Sequence, residues 1–395
     1  MNGWYVYAPG TFIKPLAAPE WAVQCPDGRI YLEIAMDDSS EIYRLNGATL
    51  VQIPSLNESV YSLTCGSGSE IWVTYSGGVG HYTGSTWIHY PPDKYLGSSK
   101  LVGDLNSIAV APNGNVWVAA GGSIATFDGA NWQVFETGKG IKEGSIPYSM
   151  DIDSNGIVWV VNNHGLLKYD GTQWSTFYEG VPDRFEYYSK IIKVDKENRI
   201  WVAREYPASI DMYDPQTKRW VVEIGEEALK VNLIKAMQFD RQDRLWFVTD
   251  YGLDIYDGSV LTTYHMDTAD LYANTADAMI ILGDGPRLPA LAQKAPGSIH
   301  GKLINPDPTK YTGRQVEICI KAAIGVYYGA TPCADQAYHA LTTVDADGNF
   351  EFKDIPVGKY YLTIQEPSNS WRGTGQIEVN PGTETELGEI KFPSE

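Results

Sequence analysis

Basic residues are scarce in this chain of 395 residues. Thirty Lys and Arg stand against 49 Asp and Glu, a formal net charge of −19. A phosphate-backbone partner needs a basic footprint, so nucleic acid is excluded as a partner. No apolar run approaches the length of a membrane span. The four cysteines, Cys25, Cys65, Cys319 and Cys333, contain no CxxC pair, which argues against zinc. None of the six histidines is spaced as a metal pair. A Ser nucleophile elbow, a P-loop and an HExxH are all missing, and no cofactor is expected. Met1 leads into "NGWYVYAPG" with neither a basic n-region nor an apolar h-region.

Glycine and aromatics are plentiful instead: 39 Gly, 26 Tyr and 12 Trp. With short apolar runs, this composition favours strands and tight turns. The stretch "DIDSNGIVWVVNNHGLLKYDGTQWSTFY", from Asp151 to Tyr178, is nearly repeated upstream as "VAPNGNVWVAAGGSIATFDGANWQVF". Six such units align on Tyr31, Trp72, Trp117, Trp159, Trp201 and Trp246, at steps of 41 to 45 residues. That period signals a propeller or a solenoid. Each unit reads as four strands: an alternating stretch, a Gly/Asn/Asp turn, the apolar Trp run, a third strand such as "GLLKYDG", and a fourth opening on Trp87, Trp132, Trp174 or Trp220. Four antiparallel strands make one propeller blade. The continuous apolar run "IVWVV" fits a strand buried on both faces, and the repeated Trp rings read as packing between blades.

A seventh unit starts at "DAMIILGDGPRLPAL" (277–291) and lacks its later strands. Trp4 and Tyr7 have the spacing of Trp174 and Phe177, so the N-terminal strand is expected to complete that last blade and hide both sheet edges. Seven blades are expected, with six as the alternative because Pro289 sits where Trp belongs.

The pattern D-x-x-G-x-(I/L)-W-V…G-(L/I)-x-x-Y-D…W-x-x-(Y/F) resembles the two-component-regulator propeller repeat and the broader streptogramin-lyase-like propellers, over roughly residues 1–292. Beyond it, "TTVDADGNFEFKDIPVGKYYLTIQ" (342–365) resembles carboxypeptidase-regulatory-like and Cna-B-like β-sandwich modules, over about 297–393. The expectation is an all-β protein: a propeller in 1–294 and an immunoglobulin-like or prealbumin-like sandwich in 295–395. Phe350, Phe352, Tyr360 and Leu362 should face the sandwich core by strand alternation. Such modules are common in bacterial surface and secreted proteins. The resemblance therefore implies an extracytoplasmic protein whose leader has been removed. Cys319 and Cys333 could bridge within the small domain. For Cys25 and Cys65, a bridge and buried free thiols both stay open, since equivalent points of neighbouring repeats could lie too far apart.

"DIDSNG" has Gly156 at the sixth position of a calcium loop but Asn162 at the twelfth, and it reads as a hairpin turn. Scaffold positions repeat, whereas ligand positions need not. The turn after the Trp strand varies from unit to unit, which makes Tyr75, Asn163, His164, Arg204, Glu205, Tyr206, Asp250 and Tyr251 the candidate ligand-binding rim. Their mix of aromatic, amide and charged groups suits sugars or protein contacts. The resembling lyases use a His base in such a turn, and His164 is the one candidate for it. The leading expectation is non-catalytic binding of a polysaccharide, peptide or partner protein. The alternatives are a lyase-like enzyme using His164 and a self-associating protomer of a surface assembly.

Overall fold

The computed structural model describes residues 19–36, 39–46, 49–68, 70–94, 105–120, 123–177, 189–205, 208–229, 231, 233–249, 251–265, 279, 281, 294–320, 331–334, 338–368 and 370–391. Nearly all of this is β structure. Six four-stranded antiparallel sheets follow one another along the chain, spanning 19–52, 60–90, 105–135, 147–177, 189–224 and 234–264. In each, strands pair in sequence order. Blade 4 shows the plan: Pro147–Ile152, Val158–Asn162, Gly165–Tyr169 and Trp174–Phe177. First strands of consecutive blades contact each other, so they form the inner wall of a β-propeller. Side-chain oxygens stitch that wall: Met150 N–H donates to Ser107 Oγ (3.1 Å) and Val194 N–H to Asp151 Oδ2 (2.8 Å).

Trp4, Tyr7, Pro289 and most of 277–291 lie outside the described residues. The described residues of that segment, Met279 and Ile281, lie against Trp246, Ile255 and Tyr264 of blade 6.

Cys25 and Cys65 are bridged, with Cα atoms 5.2 Å apart. Of the two readings left open, the bridge is the one formed, for a geometric reason. Both cysteines close first strands, and first strands converge near the axis, so their spacing meets the disulfide requirement.

The repeated turn between first and second strands explains the "D-x-x-G" signature. Its fourth residue has positive φ: Gly156 at 80°, and in blades 5 and 6 Asn198 at 61° and Asp243 at 64°. The Asp that opens the turn caps it. Asp195 Oδ1 accepts from the N–H of Glu197 (3.0 Å) and Arg199 (2.9 Å), while Oδ2 accepts from Arg199 Nε (2.5 Å) and Trp201 Nε1 (2.8 Å). Asp240 does the same with Gln242, Arg244 and Trp246. The capping oxygen of Asp153 takes only the N–H groups of Asn155 and Ile157. "DIDSNG" is therefore a capped hairpin, and "DADGN" is built alike, with Asp345 accepting from Asp347 N–H and Asn349 N–H.

The C-terminal sheets form a sandwich. Asn349–Ile355, Gly297–Ile304 and Glu384–Lys391 make one, the last pair parallel. His339–Thr343, Gln315–Cys319, Gly358–Gln365 and Trp371–Val379 make the other. Phe350, Phe352, Tyr360 and Leu362 are all in the core between them. Cys319 and Cys333 are bridged beside the buried Glu317, which accepts from Thr331 Oγ1 (2.7 Å) and Cys333 N–H (3.2 Å).

The turn cap makes a graded prediction. Asp195→Ala orphans four donors and Asp153→Ala two, at about 1 kcal/mol or more each. Chemical denaturation should therefore show the first variant losing roughly twice the stability of the second. Equal losses would show that the indole and guanidinium bonds contribute nothing.

Candidate functional site

The expected rim lies at the turns between second and third strands, at the end of the propeller opposite the capped hairpins. The strands position these turns tightly, because each second strand is buried along its whole length. What the side chains then do differs from turn to turn.

Tyr75 is buried, at 5 % exposure, and its hydroxyl meets His89 Nδ1 at 2.8 Å on the outer strand of the same blade. It closes over Gly77, where an added Cβ would lie 2.5 Å from the ring. Asn163 is a clamp: its Nδ2 donates to Gly144 O (3.0 Å) and its Oδ1 accepts Ile146 N–H (2.6 Å), fastening the connection from blade 3. His164, half-buried, gives its backbone N–H to Asn162 Oδ1 (2.8 Å). Arg204 is buried and forms a two-pronged pair with Asp211, Nε to Oδ2 at 2.6 Å and Nη2 to Oδ1 at 3.2 Å. Tyr251 turns to the C-terminal sandwich, where its ring stacks on Tyr338, centroids 6.2 Å apart, and it also meets His265 at 4.2 Å. Tyr206 and Asp250 lie outside the described residues.

The structure describes six of the eight, and four of these, Tyr75, Asn163, Arg204 and Tyr251, are engaged by local partners. It concentrates the remaining chemistry at blades 4 and 5. Lys190 of blade 5 sits over the Tyr148 ring of blade 4, 3.9 Å from its centroid. Glu205 lies within the field of Lys190, and burial nonetheless pushes its carboxyl up. Tyr148, Lys190 and Glu205 make a mixed aromatic, cationic and anionic patch on this end of the two blades.

Two carboxyls missed in the sequence lie beneath the face. Asp211 and Asp254 occupy equivalent third-strand positions, two residues before Tyr213 and Tyr256, where blades 4 and 3 have Leu167 and Ala125. Burial pushes Asp211 up to about 6, against the opposing pull of Arg204. It pushes Asp254 up to about 6 as well, against hydrogen bonds from Thr263 and Thr249 and the charge of His265. Aligning the third strands would have exposed both, since a lone Asp interrupts an apolar column.

Among the described residues, two groups bring three metal-capable side chains within 4.8 Å: Glu317 with Cys319 and Cys333, and His300 with Glu384 and Glu386. The first is closed by its disulfide, and the second belongs to the sandwich rather than the propeller.

No family model matches the sequence, and no curated protein does. Among solved structures, the chain is similar to streptogramin B lyase, at 14 % identity over 69 % of this chain and 90 % of that one, TM-score 0.55. It is also similar to virginiamycin B lyase from Staphylococcus aureus, at 15 % identity over 65 % and 86 %, TM-score 0.52. A third similarity is to the extracellular domain of the hybrid two-component system BT4673 from B. thetaiotaomicron, at 12 % identity over 98 % of this chain and 60 % of that one, TM-score 0.56. These likenesses show the fold, a β-propeller.

Asp254 carries a pH prediction. Its folded-state pKa is raised, so ionisation weakens the fold as pH climbs from about 4 through about 6. Asp254→Asn keeps an acceptor for Thr263 and removes that charge. The variant should melt higher than wild type at pH 7.5, and the gain should shrink towards pH 4. A gain that does not vary with pH would show that the carboxyl is not the cause.

Proposed function

We propose that this is an extracytoplasmic, non-catalytic recognition protein that binds a polysaccharide, peptide or partner protein through the blade 4–5 end of the propeller face. The observation that supports it best is the Tyr148–Lys190–Glu205 cluster spanning two blades. An aromatic ring with a cation on it and a carboxyl nearby recognises ligands by stacking and hydrogen bonding. Catalysis needs a base aimed at a proton, with an orienting partner. Two carboxyls with raised pKa values, Asp211 and Asp254, are instead spent below this face, on Arg204 and Thr263.

Two disulfides favour an oxidising compartment. The solved relatives include both lyases and an extracellular sensor domain, so the fold fits either a reaction or recognition. The local chemistry favours recognition. The net charge of −19 further favours ligands that are neutral or cationic.

A glycan and peptide array tests this with wild type, Lys190→Ala and Glu205→Ala. Binding should fall about tenfold or more in both variants while melting temperature holds. If His164→Ala instead abolishes a turnover measured on any bound compound, the protein is an enzyme and the recognition reading fails.

A further inference from the structure

The seams between blades are repeats too, and one of them is hollow. Between blades 5 and 6 the seam is lined by Arg199, Trp201, Met212, Phe239, Asp243 and Tyr256 and leaves about 60 Å³. Arg199 fills it. Its guanidinium lies over the Trp201 ring, pairs with Asp195, and reaches Asp243 of the next blade at 3.7 Å. The corresponding seam between blades 4 and 5 opens to about 440 Å³.

One position contributes directly. Ile157 stands where blades 5 and 6 carry Arg199 and Arg244. Two buried residues that blades 5 and 6 join to each other line this cleft unjoined: Asp153, at 4 % exposure, and Trp159, at 2 %. Trp159 Nε1 meets no acceptor among the described residues, whereas the indoles of Trp201 and Trp246 are bonded. Asp153 uses only Oδ1, on its own turn. The cleft is therefore lined by a donor and an acceptor that this fold pairs elsewhere. Leaving the buried indole N–H unmet costs free energy unless something binds it.

The other walls narrow what that is. Trp159, Phe177 and Tyr213 form an aromatic side, with Trp159 and Phe177 edge to face at 5.3 Å and Phe177 and Tyr213 at 4.7 Å. Lys168 is the cross-strand partner of Trp159, where blade 5 has Met212, and its ammonium lies 5.3 Å from the indole centroid. Asn155, Gln216 and Lys218 add polar groups at the mouth. The walls are held in place, because Asn198 Oδ1 accepts from both Ser154 N–H (3.0 Å) and Ser154 Oγ (2.9 Å) across the seam. Aromatic carbon on one side, with mixed donors and acceptors of no dominant charge on the other, matches a pyranose with its apolar ring face and its hydroxyls.

We propose that the seam between blades 4 and 5 is a saccharide-binding cleft, separate from the turn face. A sugar ring lies against the aromatic side, and neighbouring hydroxyls bond Asp153 and the Trp159 indole.

The test uses the full chain with glucose, galactose, mannose, N-acetylglucosamine and their disaccharides as probes. Binding is followed by saturation-transfer NMR and tryptophan fluorescence. At least one sugar should bind. Ile157→Arg rebuilds the filling of blade 5 and should weaken that binding at least tenfold while raising the melting temperature. Lys168→Met, which copies blade 5 without adding bulk, should weaken it severalfold and keeps the test valid if the first variant folds poorly. Lys190→Ala and Glu205→Ala on the turn face should leave it unchanged, so this cleft and the face reading fail separately. Binding of no probe sugar overturns the proposal. So does binding that ignores Ile157→Arg and Lys168→Met. Binding of L-arginine methyl ester in place of every sugar, lost in Ile157→Arg, would overturn it in favour of a peptide guanidinium.

Discussion

A tryptophan buried between two blades has one polar atom, and what that atom meets decides what the seam becomes. Burying the rings drives neighbouring sheets together, and the indole N–H must then find an acceptor or stay unpaired at a cost. Blades 5 and 6 solve this with one carboxylate. The Asp that caps the hairpin turn uses one oxygen on the turn itself and the other on the Trp and an Arg. Turn geometry, ring orientation and seam filling are thus coupled through a single side chain. In blade 4, where Ile157 replaces the Arg, the turn still forms but the seam is not sealed.

The fold was legible because packing between blades imposes a period. Six aromatic runs at nearly constant spacing, each after a Gly/Asn/Asp turn, leave little besides a propeller, and "FEFKDIPVGKYYLTI" carries its alternation openly. The Cys25–Cys65 bridge was harder to read. Sequence reports repeat number but not radius, and only near the axis do equivalent points approach within disulfide reach.

The face was legible only in outline. Turn variability pointed to one end of the propeller, but variability has two causes. Asn163, Tyr75 and Arg204 differ between blades because each fastens a different local structure, and Tyr251 differs because the sandwich lies against it. Asp211 and Asp254 escaped notice because they sit inside strands rather than turns. The hollow seam escaped for the opposite reason: it is marked by what Ile157 lacks. Comparing "SNGI" with "KENR" and "RQDR" shows the missing guanidinium directly. In a repeat protein, a conserved plan with one part left out is as informative as a residue added.

The most direct measurement is hydrogen exchange at the indole nitrogens, followed by NMR on protein labelled with ¹⁵N-tryptophan. Trp201 and Trp246, each bonded to a buried carboxylate, should exchange slowly, and the Trp159 indole should exchange much faster at the same pH and temperature. Equal protection of all three would mean that the seam between blades 4 and 5 is sealed like its neighbour, and the coupling of carboxylate, indole and guanidinium would no longer explain the difference between them.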